Sequence, residues 1–217
     1  MSRLPNSDQE GYDNCYRCSG QPVSVVPISL SIHGRLLHHH LRSYKDGPHS
    51  IVREKFTLRL AAILEVFLSF HLDGCLGGPV HRVATVPSEK RDAPWGIIKL
   101  LRRFAGQTNP LSYDRRRSRY VVTTELRNQR VLLVDDTFTT GRSIFDAYHT
   151  LTNAGAVAAG PVVLGRHIRP DWEPSKALLQ RLEPTQWRPT ECCRCAGELF
   201  NPPLRDTPPQ ATSLFDS

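Results

Sequence analysis

The chain reads as an α/β protein in which a parallel sheet is flanked by helices. Three observations predict this. Short apolar runs with the composition of buried strands alternate with helical segments of about ten residues or more. The clearest run, residues 131–134, has four consecutive apolar residues, as expected of a strand covered on both faces. The apolar share is 39% before the 14 glycines are added, which is the level of globular proteins and excludes a wholly disordered chain of 217 residues.

Taken in order, residues 1–14 are polar and predict a disordered N-terminus. Residues 15–35 hold a first cysteine knuckle and a lead-in, and the main domain is expected over 36–190. Within it, 49–72 is an apolar stretch of good helix formers, stopped by Asp73, Gly74, Gly77, Gly78 and Pro79. A buried strand follows over 80–86, a helix over 95–104, a long polar loop over 106–119 and a strand over 120–124. The strand 131–134 leads through a hydroxyl-rich turn into a helix over 143–154, ended by Gly155, and the last strand is 158–164. A second cysteine knuckle occupies 191–200. The tail 201–217, with Pro202, Pro203, Pro208 and Pro209, is expected to be disordered.

The longest apolar run, 58–72, contains Arg59 and Glu65 and is shorter than the roughly 20 residues needed to span a bilayer. The first ten residues lack the apolar segment of a secretory signal. A cytoplasmic protein without a membrane partner is therefore expected. The net charge of +7 is local, because residues 99–130 carry nine Lys and Arg against Asp114 and Glu125. Such a cluster serves a nucleic acid, a small polyphosphate or only solubility.

The strongest motif is Val131-Leu132-Leu133-Val134-Asp135-Asp136-Thr137-Phe138-Thr139-Thr140-Gly141-Arg142-Ser143. It joins a buried strand to a helix through small hydroxyl residues and one glycine. Amides at a helix N-terminus, backed by the helix dipole, suit a phosphate dianion, and Thr139, Thr140 and Ser143 add donors. Gly141 lets the backbone come close to the anion. Asp135 and Asp136 stand at the carboxyl end of the strand, where parallel α/β sheets bind ligands. There they can hold sugar hydroxyls or a hydrated magnesium ion. Helix capping and ordinary turn chemistry would suffice to explain a bare Asp-Asp pair.

The whole thirteen-residue arrangement resembles the signature of the type I phosphoribosyltransferases, which bind phosphoribosyl diphosphate (PRPP), and is most similar to their ComF-like branch. The resemblance runs from about Leu36 to Arg166. Weaker matches are Leu41-Arg42-Ser43-Tyr44-Lys45, Val86-Pro87, Gln107 with Arg115, Arg116 and Arg117, and Asn153-Ala154-Gly155-Ala156. It implies that Asp135 and Asp136 hold the ribose, and that Thr137, Phe138, Thr139, Thr140, Gly141, Arg142 and Ser143 wrap the 5′-phosphate. It further implies that Ser88, Lys90 and Arg91, in the first βα turn, meet the diphosphate with its magnesium. Arg115, Arg116 and Arg117 would lie in a mobile loop that closes over the site. Two features depart from the family. Thr139 replaces the acid of the 6-oxopurine enzymes, which argues against purine salvage, and Asp92-Ala93-Pro94-Trp95-Gly96 replaces the Arg-Gly-aromatic-Asn segment usual in the ComF-like branch.

Of six cysteines, Cys15-x-Arg-Cys18-x-Gly and Cys192-Cys193-Arg-Cys195-x-Gly share one form. Two such knuckles can supply four thiolates, so Cys15, Cys18, Cys192 and Cys195 are predicted to hold one structural zinc in a small ribbon-like element formed by the two chain ends. Cys193 could replace a neighbour. Cys75 reads as a small core residue. His38, His39 and His40 read as surface or packing residues, since adjacent helical positions point apart.

The expected function is phosphoribosyl transfer to or from a base, with PRPP or a nucleotide as ligand and no unique general base visible. The alternatives are a non-catalytic PRPP or nucleotide sensor and a nucleic-acid-associated accessory protein using the basic loop. A homodimer is left open.

Overall fold

The computed structural model describes residues 23, 25–87, 93–182 and 188–192. In chain order the elements are β1 Val26–Ile32, α1 Leu36–Asp46, α2 Ser50–His71, β2 Arg82–Thr85 and α3 Ala93–Ile98. A 3₁₀ turn, Arg102–Phe104, leads to β3 Leu111–Asp114 and β4 Arg119–Val122. Then come β5 Arg130–Phe138, α4 Arg142–Asn153, β6 Val157–Ile168 and α5 Glu173–Leu182. Four strands form a parallel sheet in the order β1-β6-β5-β2, with helices against it. The α/β prediction therefore holds at this level.

Strand periodicity divides the core in two. Along β5, Leu132 and Val134 face a cluster built with α1, α2 and α3, while Val131 and Leu133 face one built with α4. All four residues are at most 2% exposed, which is why the segment reads as an unbroken apolar run. Among the described residues, no helix is long and apolar enough to cross a membrane.

Three readings are corrected. The predicted strand 131–134 extends in both directions and reaches Phe138, because β6 continues to pair with it as far as Phe138 opposite Arg166. The predicted helix 95–104 breaks after Ile98. In an unbroken helix Trp95 and Phe104 would point about 180° apart, whereas the break lets both reach the α2-side core. The predicted loop 106–119 instead supplies β3, which pairs antiparallel with β4 in a separate hairpin with Tyr113 opposite Tyr120. At its turn, the Asp114 carboxylate accepts the N–H groups of Arg116 and Arg117, and Ser118 takes a left-handed φ of 50°. The strand β1, unforeseen in the lead-in, pairs with β6 and completes the sheet.

Beside β2 the chain runs without regular structure, yet side chains stand in for a further strand. Gln107 Oε1 accepts the Val83 N–H, and Asn109 brackets Thr85. The Val83 N–H and the Thr85 N–H and carbonyl at the sheet edge are thereby paired.

Candidate functional site

The carboxyl end of β5 opens into a cleft of about 1050 Å³. Its floor is Asp135, Asp136, Thr137 and Thr139, and α4 contributes Arg142 and Ser143. Lys45 borders it from α1, and Tyr113, Arg119 and Tyr120 border it from the hairpin. The strand β5, the helices α1 and α4 and the β3–β4 hairpin thus converge where the topology of a parallel sheet leaves room for a ligand.

The adjacent aspartates take different surroundings because successive strand residues point to opposite faces. Asp136 is 4% exposed and turns toward α1. There the Tyr44 hydroxyl donates to its Oδ2, and the Lys45 ammonium donates to its Oδ1 at 2.7 Å. Asp135 lies on the α4 face, and its Oδ1 accepts the Asp136 N–H at 2.8 Å. Burial pushes the Asp135 carboxyl up to about 6, opposed by that N–H and by the charge of Lys45. Burial pushes Asp136 up to about 7, opposed by a hydrogen bond from Thr137. Removing carboxylates from water is what raises both.

The turn after β5 is tight. Gly141, which has no side chain to cap with, stands at the N-cap of α4 with φ 83°. A Cβ at Gly141 would lie 2.6 Å from the Phe145 ring and 2.8 Å from that of Phe138. Thr139, Thr140, Arg142 and Ser143 are exposed around it. Phe138 is buried against Phe145, so its ring belongs to the core. Tyr120 packs against the α4-side core, and burial raises its hydroxyl pKa, with Ser143 opposing the rise.

The sequence-predicted residues divide accordingly. Asp135, Asp136, Thr137, Thr139, Arg142 and Ser143 are brought together in the cleft wall. Arg115, Arg116 and Arg117 stand exposed at the turn of the hairpin that walls the cleft. Ser88, Lys90 and Arg91 lie outside the described residues, as do Cys15, Cys18, Cys193 and Cys195. Cys192 is described, and it packs against Cys75 and His71. His40 is buried against Phe56, whereas His38 meets His33 and His167 from other elements.

Sequence reasoning missed Tyr113 and Tyr120 as cleft residues. The signal was present as apolar alternation at Leu111 and Tyr113, then at Tyr120 and Val122, around an Asp-initiated turn. No protein-family model matches the chain, and no curated protein matches it.

Proposed function

We propose that the cleft binds PRPP or another 5′-phosphorylated nucleotide and that the protein transfers a phosphoribosyl group to or from a base. The observation that carries this reading is the joining, in one cleft, of the N-terminus of α4, entered through a left-handed glycine, with a pair of carboxylates near the end of β5. The α4 amides and the hydroxyls of Thr139, Thr140 and Ser143 suit the 5′-phosphate. Asp135 faces the cleft from the α4 side and suits the ribose hydroxyls. Asp136 acts through Lys45 and Tyr44, holding the ammonium at the cleft border.

Asp135 is also a hard oxygen donor of the type magnesium prefers. When bound with the diphosphate, the ion would supply charge neutralisation. The chain's own residues orient the ribose and stabilise positive charge developing at C1 as the leaving group departs. The Tyr113–Tyr120 pair of the hairpin limits solvent access at one wall.

Calorimetry with PRPP and magnesium tests the binding. Heat is expected from the wild type and weakened binding from Asp135→Asn, with the fold unchanged by circular dichroism. An absence of heat from the wild type would overturn the reading. Turnover with a panel of bases separates an enzyme from a non-catalytic sensor.

The exposure of Arg115, Arg116 and Arg117 favours a second reading, a nucleic-acid contact. The triple change to Ala distinguishes the two. Loss of PRPP affinity with DNA binding absent or unchanged supports the nucleotide cleft, whereas loss of salt-sensitive DNA binding alone supports the accessory role.

A further inference from the structure

At the end of α2, remote from the cleft, three metal-ligating side chains meet in a buried place. His71 is the last residue of the helix and is 1% exposed. Cys75 lies one turn later and Cys192 comes from the far end of the described chain, 117 positions on. The Cys75 and Cys192 sulfurs are 3.4 Å apart, and the Cys75 sulfur is 3.5 Å from His71 Nδ1. All three donor atoms fall within 4.8 Å of one another.

We infer that His71, Cys75 and Cys192 supply three of the four ligands of a zinc ion that docks the C-terminal segment onto the end of α2. The distances have the right size. Zinc bonds of about 2.3 Å to sulfur and 2.0 Å to nitrogen, at tetrahedral angles, set neighbouring ligands roughly 3.5 to 3.8 Å apart. A disulfide would need a sulfur separation near 2.05 Å.

The orientation of the imidazole is an independent observation. His71 Nε2 lies 2.8 Å from the Pro189 carbonyl oxygen, which can only accept, so Nε2 carries the proton. Nδ1 is then the lone-pair nitrogen, and it is the atom facing Cys75. Zinc-ligating histidines are held in this way, with the second ring nitrogen donating to a carbonyl or carboxylate. Here the carbonyl belongs to the segment that delivers Cys192, three residues before it. Charge also fits the burial. Two thiolates neutralise a divalent ion, and each cysteine loses its proton to solvent as the metal binds.

The cysteines that the sequence pairs with Cys192, namely Cys15, Cys18 and Cys195, lie outside the described residues. The zinc site does not depend on the nucleotide reading. The loop after Cys75 is tied to Arg130, whose guanidinium donates to the Leu76 carbonyl at the amino end of β5. Arg130 and Asp136 are six residue steps apart along β5, roughly 20 Å.

Zinc analysis and X-ray absorption at the zinc edge, on the full chain purified without chelator, test the site. The expected result is one zinc per chain with a mixed nitrogen and sulfur shell, and zinc largely lost from Cys75→Ser and His71→Gln. An all-sulfur shell would overturn the site, as would full zinc content in Cys75→Ser. So would a metal-free wild type after growth with added zinc, or a Cys75–Cys192 disulfide in the unreduced protein. If the variants fail to fold, the absorption shell of the wild type decides.

Discussion

Gly141 is required twice over, by its dihedral angle and by the space around it. Its φ of 83° is in the left-handed region, and a Cβ would meet the rings of Phe145 and Phe138 at 2.6 and 2.8 Å. Gly141→Ala should therefore destabilise the protein by about 1–3 kcal/mol and displace the start of α4. Urea denaturation measures this, and an unchanged midpoint would show that the turn can relax. Asp136 allows a pH test whose sign follows from its burial. Its carboxyl is raised from an ordinary value of 3.8 to about 7, so the native state holds the proton more tightly than the unfolded chain. The associated stability is complete below about pH 4 and is lost as pH rises through 7, by up to about 1.4 kcal/mol per pH unit. Asp136→Asn removes this titration. The variant should accordingly gain on the wild type between pH 4 and 7, as read from paired denaturation curves, and a gap independent of pH would rule the effect out.

At the scale of elements, β2 is protected by residues that form no strand. Asn109 Oδ1 accepts the Thr85 and Leu111 N–H groups, while its Nδ2 donates to the Thr85 carbonyl and hydroxyl. Thr85 is 0% exposed, so water cannot replace these bonds without rearrangement. Asn109→Ala is expected to cost about 1–3 kcal/mol, the usual penalty for orphaned buried polar groups. A loss below about 0.5 kcal/mol in the same denaturation assay would mean that the edge re-pairs on its own. The hairpin β3–β4 has a different dependence. Among the described residues it pairs with no strand of the main sheet, and it reaches the fold through Leu111, buried in the α4-side core, and Tyr120 and Val122 packed against it. Two-stranded hairpins are marginal alone, so its position over the cleft depends on these contacts.

Across the whole molecule, the sheet separates two tasks: β5 ends at the cleft and begins beside the loop that follows Cys75. The local framework could be read from the order of the amino acids alone. The helix α2, the apolar stretch of β5 and the turn into α4 were legible because propensity, periodicity and glycine chemistry act over a few residues. Asp135, Asp136 and the hydroxyl loop stood out for the same reason, since they are contiguous. Other features depended on the path of the chain. Tyr44 reaches Asp136 across 92 positions, and His71, Cys75 and Cys192 meet only because the C-terminal segment packs on the end of α2. The strand β1 needed β6 as its partner, and β3 needed β4, before either was distinguishable from loop. The tertiary structure also decided the unequal surroundings of two neighbouring aspartates. A strand turns consecutive side chains to opposite faces, and the packing of α1 on one of them gives Asp136 the donors Tyr44 and Lys45, while Asp135 accepts the Asp136 N–H.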